Sequence, residues 1–352
     1  MRLPFFLFFA ASLFAQTYTV QQSNTAENLR GLSTPSSQII WASGTHGTYL
    51  RSTDGGKTWQ TAQVPAAEAL DFRGVEAFSA DFAYLLSAGP GGQSRIYKTT
   101  DGGKTWALQF TNPDPKGFFD CMAFWSRDRG IALGDPVNGR FELITTEDGG
   151  KHWNPISPGS LPPAIDGEGA FAASGTCITV RGMSNVWFAT GGKAARVFRS
   201  TDAGKTWAVA DTPILHGADS AGISSIAFRD ATHGVIAGGD YQQPDKDGPN
   251  LAITDDGGQT WRLDPLSPQF YFSGIAMSVW GRAPSPARAE RSSAAISALA
   301  VGSAHAAYAD NISGKSWNKI WDLNLNAVSY RAPGEAIAVG PKGLIVLFTG
   351  IR

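Results

Sequence analysis

Four acids, Asp120, Asp135, Glu168 and Asp240, are the side chains through which this sequence could do acid–base chemistry. Two carboxylates facing each other across a glycosidic bond are the machinery of glycoside hydrolysis: one protonates the leaving oxygen, the other acts as base or nucleophile. Arg140 and Tyr241 fall in the same loops, as do Asp166, Lys193, Arg196 and His216. Loops are polar by default, however, and a chain with this many loop acids contains some such pair whatever it does. No other spacing amounts to a catalytic signature. The histidines, at 46, 152, 216, 233 and 305, are scattered, and the two cysteines, Cys121 and Cys177, form no Cys-x-x-Cys cluster, so no metal is expected. Asp245 to Asn250 has oxygen ligands at a spacing faintly like a calcium loop, but it lacks the distal Glu and reads as an Asp-Gly turn. No Gly-rich loop opens a helix, so no nucleotide or other cofactor is implied. The 29 basic residues nearly balance 30 acidic ones without a basic run, which argues against a nucleic-acid or membrane-surface partner and leaves a protein or a glycan.

The elements that must position these side chains follow from a repeat. Ser52-Thr53-Asp54-Gly55-Gly56-Lys57-Thr58-Trp59 returns with small changes at Asp101 to Trp106, Asp148 to Trp153, Asp202 to Trp207 and Asp256 to Trp261; a decayed sixth copy runs from Asn311 to Trp317. The closing tryptophans are 47, 47, 54, 54 and 56 residues apart, a period that means one supersecondary unit per repeat. Each interval has room for three more short strands; in the fifth these are 223–228, 234–237 and 251–254. Four antiparallel strands per repeat make a propeller blade. Within the motif, the Asp carboxylate can accept backbone N–H groups of its own turn, the Gly pair supplies positive φ, and the Trp buries its ring at the start of the outer strand. The motif is therefore a fold device, a hairpin between the third and outermost strands.

The ends of the chain give the blade count. After Trp317 three strands remain, at 327–330, 336–339 and 344–348. The missing fourth is supplied by Thr17 to Gln22, which resembles Thr58 to Gln63; Asn28-Leu29-Arg30-Gly31-Leu32 then parallels Asp71-Phe72-Arg73-Gly74-Val75. The expected fold is all-β: a seven-bladed propeller over 16–352, closed by its N-terminal strand so that no sheet edge is left open. Gly281 to Ala295, rich in Ala, Ser, Arg and Pro, reads as a mobile insertion between the first two strands of blade six. Residues 1–15 have the layout of a secretory signal peptide, with Arg2, an apolar run and Ala15 before a cut at Gln16. They are too short for a membrane span, which takes roughly 20 apolar residues. The mature chain is thus expected in the periplasm or outside the cell. Cys121 and Cys177 align on innermost strands of neighbouring blades, where buried free thiols are preferred over a bond near the geometric limit.

The repeat residues resemble the Asp-box, or BNR-repeat, superfamily, which includes sialidases, xyloglucanases, sortilin-type receptors and the photosystem II stability and assembly factors. The resemblance covers the whole mature chain. Blade number and single-domain size are most similar to the assembly-factor-like propellers of bacteria, as are Met122-Ala123-Phe124-Trp125, Gly134-Asp135-Pro136-Val137, Gly167 to Thr176 and Gly238-Gly239-Asp240-Tyr241. That resemblance implies a non-enzymatic binding or assembly scaffold. A sialidase would need Arg-x-Pro in the first blade, whereas Arg30 and Arg73 are each followed by Gly. The expected ligand face is the one formed by the loops joining second to third strands and one blade to the next, opposite the Asp-boxes. Asp120, Asp135, Arg140, Glu168, Asp240 and Tyr241 are placed there, and five of them, Asp120 apart, are expected to line one cleft over blades three to five. The rival reading is a glycoside hydrolase.

Overall fold

A computed structural model describes residues 16–264, 270–278, 297–309 and 317–351. Within them the chain forms seven four-stranded antiparallel units. Blade one is Leu29–Ser33, Ile40–Gly44, Thr48–Ser52 and Gln60–Gln63. Blade two runs from Asp71–Ala77 to Ala107–Thr111, blade three from Phe119–Phe124 to Asn154–Pro155, and blade four from Ile178–Arg181 to Ala208–Asp211. Blade five begins with Ala221–Phe228 and Gly234–Asp240, and blade six with Gly274–Met277 and Ala298–Val301. The only helical pieces among the described residues are two three-residue turns, Gly91–Gln93 and Pro158–Ser160.

Blade seven holds Ala327–Ala332, Glu335–Val339 and Ile345–Thr349, and its outer strand is Thr17–Gln21, paired antiparallel from Thr17 opposite Thr349 to Gln21 opposite Ile345. Ring closure by the N-terminal strand is therefore realised as the repeat alignment implies. The strand is mostly exposed and holds on by its ladder and by Tyr18, whose ring meets Trp321 edge-on at 5.2 Å. The segment 281–295 and the leader 1–15 lie outside the described residues, as does the decayed box apart from Trp317. Met277 and Ala298, which flank the former, pair across the first two strands of blade six.

The five complete boxes show why their residues recur. In the first, Asp54 Oδ1 accepts the Thr58 N–H at 2.9 Å and Oδ2 accepts the Thr58 hydroxyl at 2.6 Å, while Ser52 Oγ accepts the Gly56 N–H at 2.8 Å. Gly55 and Gly56 have φ of 76° and 87°, open to glycine and costly for other residues; in the fourth box Ala203 tolerates 61°. Trp59 lies buried and donates its indole N–H back to Gly56 O at 3.1 Å. Packing between blades is aromatic and aliphatic: Trp187 stacks on Phe228 at 3.8 Å, and Trp41, Tyr84 and Tyr308 are fully buried. Burial of such side chains at about 25 cal/mol per Å² is what holds the sheets face to face.

Cys121 and Cys177 form a disulfide, with Cα atoms 6.0 Å apart. This corrects the expectation of free thiols: inner strands converge on the axis, and that brings equivalent positions of neighbouring blades within bridging range.

Candidate functional site

The inner strands of blades one, two, three and five share a defect. Each register slips by one residue near its start, at Arg30, Arg73, Asp120 and Ser224. A bulge leaves its extra residue out of the ladder and re-aims its side chain. Arg30, Arg73 and Asp120 are thereby turned into a cavity of about 500 Å³ on the axis, on the side of the loops between second and third strands. Ser224 Oγ lies 3.3 Å from the Tyr271 hydroxyl, which also lines the cavity. Asp135, Ser273, Ser303 and Asn326 complete the polar wall; Phe118, Phe171 and Tyr241 form the aromatic part of the lining.

The charges there are unequally partnered. Arg73 is held by Asp71 at 2.8 Å and donates to Ala172 O at 3.1 Å. Arg30 has no ion pair or hydrogen bond among the described residues, and its buried Nε faces no acceptor. Burial, and then the neighbouring Arg73 cation, pull the Arg30 pKa below its ordinary value. Asp120 is 1% exposed; its Oδ2 has no partner. Burial, reinforced by the Asp135 charge, pushes its carboxyl well above the usual range, with Arg73 and the Ala172 N–H pulling the other way. Asp135 is raised by burial too, although it accepts the Ala170 N–H at 2.8 Å.

One side of the cavity is covered by the long connection from blade three to blade four. Glu168–Gly169 in this flap pairs with Gly191–Gly192, and Gly191 pairs in turn with Gly222 of blade five. A Cβ on Gly191 would stand 3.0 Å from Gly222 Cα, so the two backbones meet only because both residues are glycine. Glu168 is wholly buried against Arg196, which donates from Nε at 2.9 Å and Nη2 at 2.5 Å; Thr190 Oγ1 adds a bond at 2.6 Å. Asp135 and Arg73 hold the flap at Ala170 and Ala172, and the disulfide fixes its far end.

The single five-residue cleft is thus corrected. Asp135 and Tyr241 meet at the axial cavity, together with Asp120. Glu168 is not on a ligand surface because its carboxylate is consumed by Arg196 and Thr190. Asp240 is buried in its own turn, accepting from Gln242 N and Gln243 Nε2 at 3.0 Å each; burial works against its ionisation, but these bonds and one from Ser220 hold its pKa low. Arg140 donates to Leu161 O at 3.2 Å beside a separate cavity in blade three bounded by Asp114 and Glu142. Lys193 reaches Gly217 O at 3.1 Å and His216 Nδ1 lies 2.8 Å from Ile214 O. Among the described residues no three His, Cys, Asp or Glu side chains are grouped to hold a metal ion.

The other end of the axis, on the Asp-box side, opens into a cavity of about 540 Å³ walled by inner-strand ends, hydroxyls, Glu76 and Arg181. Burial pushes Glu76 up to about 7, against the pull of the Arg181 cation. Arg181 is itself engaged, donating to Phe228 O and Val180 O.

With this geometry in view, the BNR/Asp-box repeat family matches residues 50–61 and 252–263, the hairpins of boxes one and five. The chain is a seven-bladed β-propeller that carries BNR/Asp-box repeats. Among solved structures this propeller is similar to "YCF48 bound to D1 peptide", at 15% identity and TM-score 0.63 over 94% of each chain. It is similar to the GH74 enzyme of Niastella koreensis, at 15% identity and TM-score 0.61, spanning 94% of this chain and 53% of that one. It is also similar to U3-55K, at 10% identity and TM-score 0.60 over 94% and 98% of the chains. At such identities the likeness is one of fold. The curated proteins hold no match to the sequence.

Arg30, Arg73, Tyr271, Phe171 and Glu76 of this Asp-box propeller are site residues that sequence reasoning missed. Arg30 and Arg73 do occupy equivalent places in the aligned segments around Leu29 and Phe72, and a charged residue recurring at one inner-strand position was the available signal. What the alignment could not reveal is the bulge that turns both into the axis.

Proposed function

We propose that the protein is an exported, non-catalytic binding propeller that docks an extended segment of a protein partner at the loop-side mouth of its axial cavity. One observation carries the reading: a 500 Å³ cavity in which Arg30 and Asp120 keep buried polar atoms without a protein partner, beside Phe118, Phe171 and the 48% exposed Tyr241. Aromatic rims around unsatisfied polar groups are the composition of binding hot spots. One of the propellers similar to this chain in fold is bound to a peptide, which is in keeping with such use. Export, with cleavage between Ala15 and Gln16, is supported by the leader's layout and by a disulfide, which persists in oxidising compartments. N-terminal sequencing of secreted or periplasmic material tests the cut; a cytoplasmic protein that starts at Met1 would refute it.

The docking test is selection of the mature protein against a displayed library of short random peptides, followed by affinity measurement on Tyr241→Ala. Recovered peptides should bind wild type and weaken about ten-fold or more on the variant, as for an aromatic hot spot. Peptides indifferent to Tyr241 and Phe171 would refute the site.

The hydrolase reading retains one specific support, the paired, elevated carboxyls of Asp120 and Asp135 in one cavity. Release of reducing ends from β-glucans by wild type and not by Asp135→Asn would establish it in place of docking.

A further inference from the structure

We infer that the loop-side axial cavity is a carboxylate-recognition pocket, in which the unpartnered guanidinium of Arg30 takes the carboxylate and the aromatic lining takes an apolar or aromatic body attached to it. This deepens the docking reading and rests on it for the choice of face.

The charge balance of the cavity gives the sign of the ligand. Of the two arginines, Arg73 is already neutralised by Asp71 at 2.8 Å and satisfied by Ala172 O. Arg30 is not: it has no anion within ion-pair distance, its Nε is buried without an acceptor, and its neighbour across the bulges is another cation. The two acids in the cavity offer it nothing. Asp120 is buried on blade three, with Asp135 beside it, and burial and mutual repulsion favour its neutral form. Asp135 is committed to the flap through Ala170. Tyr271, which also faces the cavity, has its hydroxyl pushed up by burial and brings no negative charge. Asp71 acts on Arg30 only at a distance and is paired with Arg73, so this mostly desolvated cation is left with no anion within ion-pair reach, and a guanidinium fork matches the two oxygens of a carboxylate. An unionised Asp120 adds an O–H donor across the chamber, and Ser303 Oγ is a third buried polar atom with no protein partner. Phe118, Phe171 and Tyr241 lie beside these groups, with Phe171 and Tyr241 edge-on at 5.9 Å. A carboxylate with an aromatic substituent meets both halves of that surface.

Arg30 contributes no intramolecular bond, so its replacement should not unfold the ring; losing a buried unpaired charge should leave the melting temperature equal or higher. Calorimetric titration at neutral pH with hydrocinnamate, its amide hydrocinnamamide, and phenethylamine separates the charge types on a shared aromatic body. Hydrocinnamate should bind about ten-fold or more tightly than the amide, phenethylamine should not compete, and Arg30→Gln should lose that preference while Arg30→Lys recovers part of it. An acid no better than its amide, preference for the amine, or an unchanged preference in Arg30→Gln would each overturn the proposal. A peptide arm identifies the source: displayed peptides with an acidic residue, compared with their Gln or Asn counterparts, should show the same Arg30 dependence if the carboxylate belongs to a protein. Binding of hydrocinnamate without any peptide binding would leave the pocket standing and remove protein docking; peptides that bind regardless of acid would do the reverse.

Discussion

Individual side chains in this propeller divide into those whose bonding capacity is used within the fold and those left with some to spare. Glu168 and Arg196 belong to the first group. Their pair is buried, with the Glu168 side chain fully enclosed, and it ties the flap to blade four. Removing one partner of a buried pair leaves the other charge uncompensated, so Arg196→Met should cost about 3–5 kcal/mol in chemical denaturation, and Glu168→Leu added to it should recover much of the loss. Equal stability of Arg196→Met and wild type would contradict the strut assignment. Glu76 belongs to the second group. Its carboxyl is raised from 4.5 to about 7 in the fold, mainly by burial. A raised folded pKa means the native state holds a proton that the unfolded chain releases, so the stability tied to it is full below about 4.5 and is lost as pH rises to about 7. Glu76→Gln should flatten the stability profile between those values, and a profile of unchanged slope would show that Glu76 ionises freely. Glu76 escaped notice in the sequence, and Glu168 was read as a surface acid, because both roles depend on what burial brings opposite them.

At the scale of the hairpin and the strand, the boxes were legible and the bulges were not. A box is a local device: Asp54, Gly55, Gly56 and Trp59 are adjacent in the chain, and their hydrogen bonds close within the same turn, so residue types and spacing suffice to recognise them. The ring of Trp59 carries most of the stabilisation, being 6% exposed between blades one and seven, and Trp59→Ala should cost about 3–5 kcal/mol. Trp106 is only partly buried, against Trp41 and Tyr49, so its replacement should cost less. A Trp106→Ala loss equal to or above that of Trp59→Ala would contradict this ranking. The bulges at Arg30, Arg73 and Asp120, in contrast, are defined by which residue the neighbouring strand skips. A one-residue slip exchanges the faces of a strand, and nothing in Leu29-Arg30-Gly31 announces it. The same holds for the flap, whose course is set by partners far apart in sequence, Arg73 with Ala172 and Asp135 with Ala170. This is why the acids of the site were picked out as a class while the engagement of Glu168 with Arg196 and of Arg140 with Leu161, away from the axial cavity, was not foreseen.

As a whole molecule the propeller is a closed ring whose last blade borrows its outer strand from residue 17 onward. Deletion of residues 16–21 should expose the Ile345–Thr349 edge, lower the melting temperature and promote association between open edges. An unchanged melting temperature would mean that the ring does not depend on this strand. Closure gives the disc two unlike ends. The box side carries carboxylates locked into their own turns, such as Asp54 and Asp101, each held near 2 chiefly by the Thr hydroxyl and N–H four residues on. The loop side carries the flap, the aromatic lining and an arginine with no ion-pair partner. The central claim is that binding happens at this second end. Hydrogen exchange of the mature protein, with and without a peptide recovered from the displayed library, tests it most directly. Slowed exchange should concentrate in the flap at 167–175 and at the inner-strand starts around Arg30, Arg73 and Asp120. Protection confined to the box-side mouth at 32–35 and 179–182, with the flap unchanged, would contradict the account.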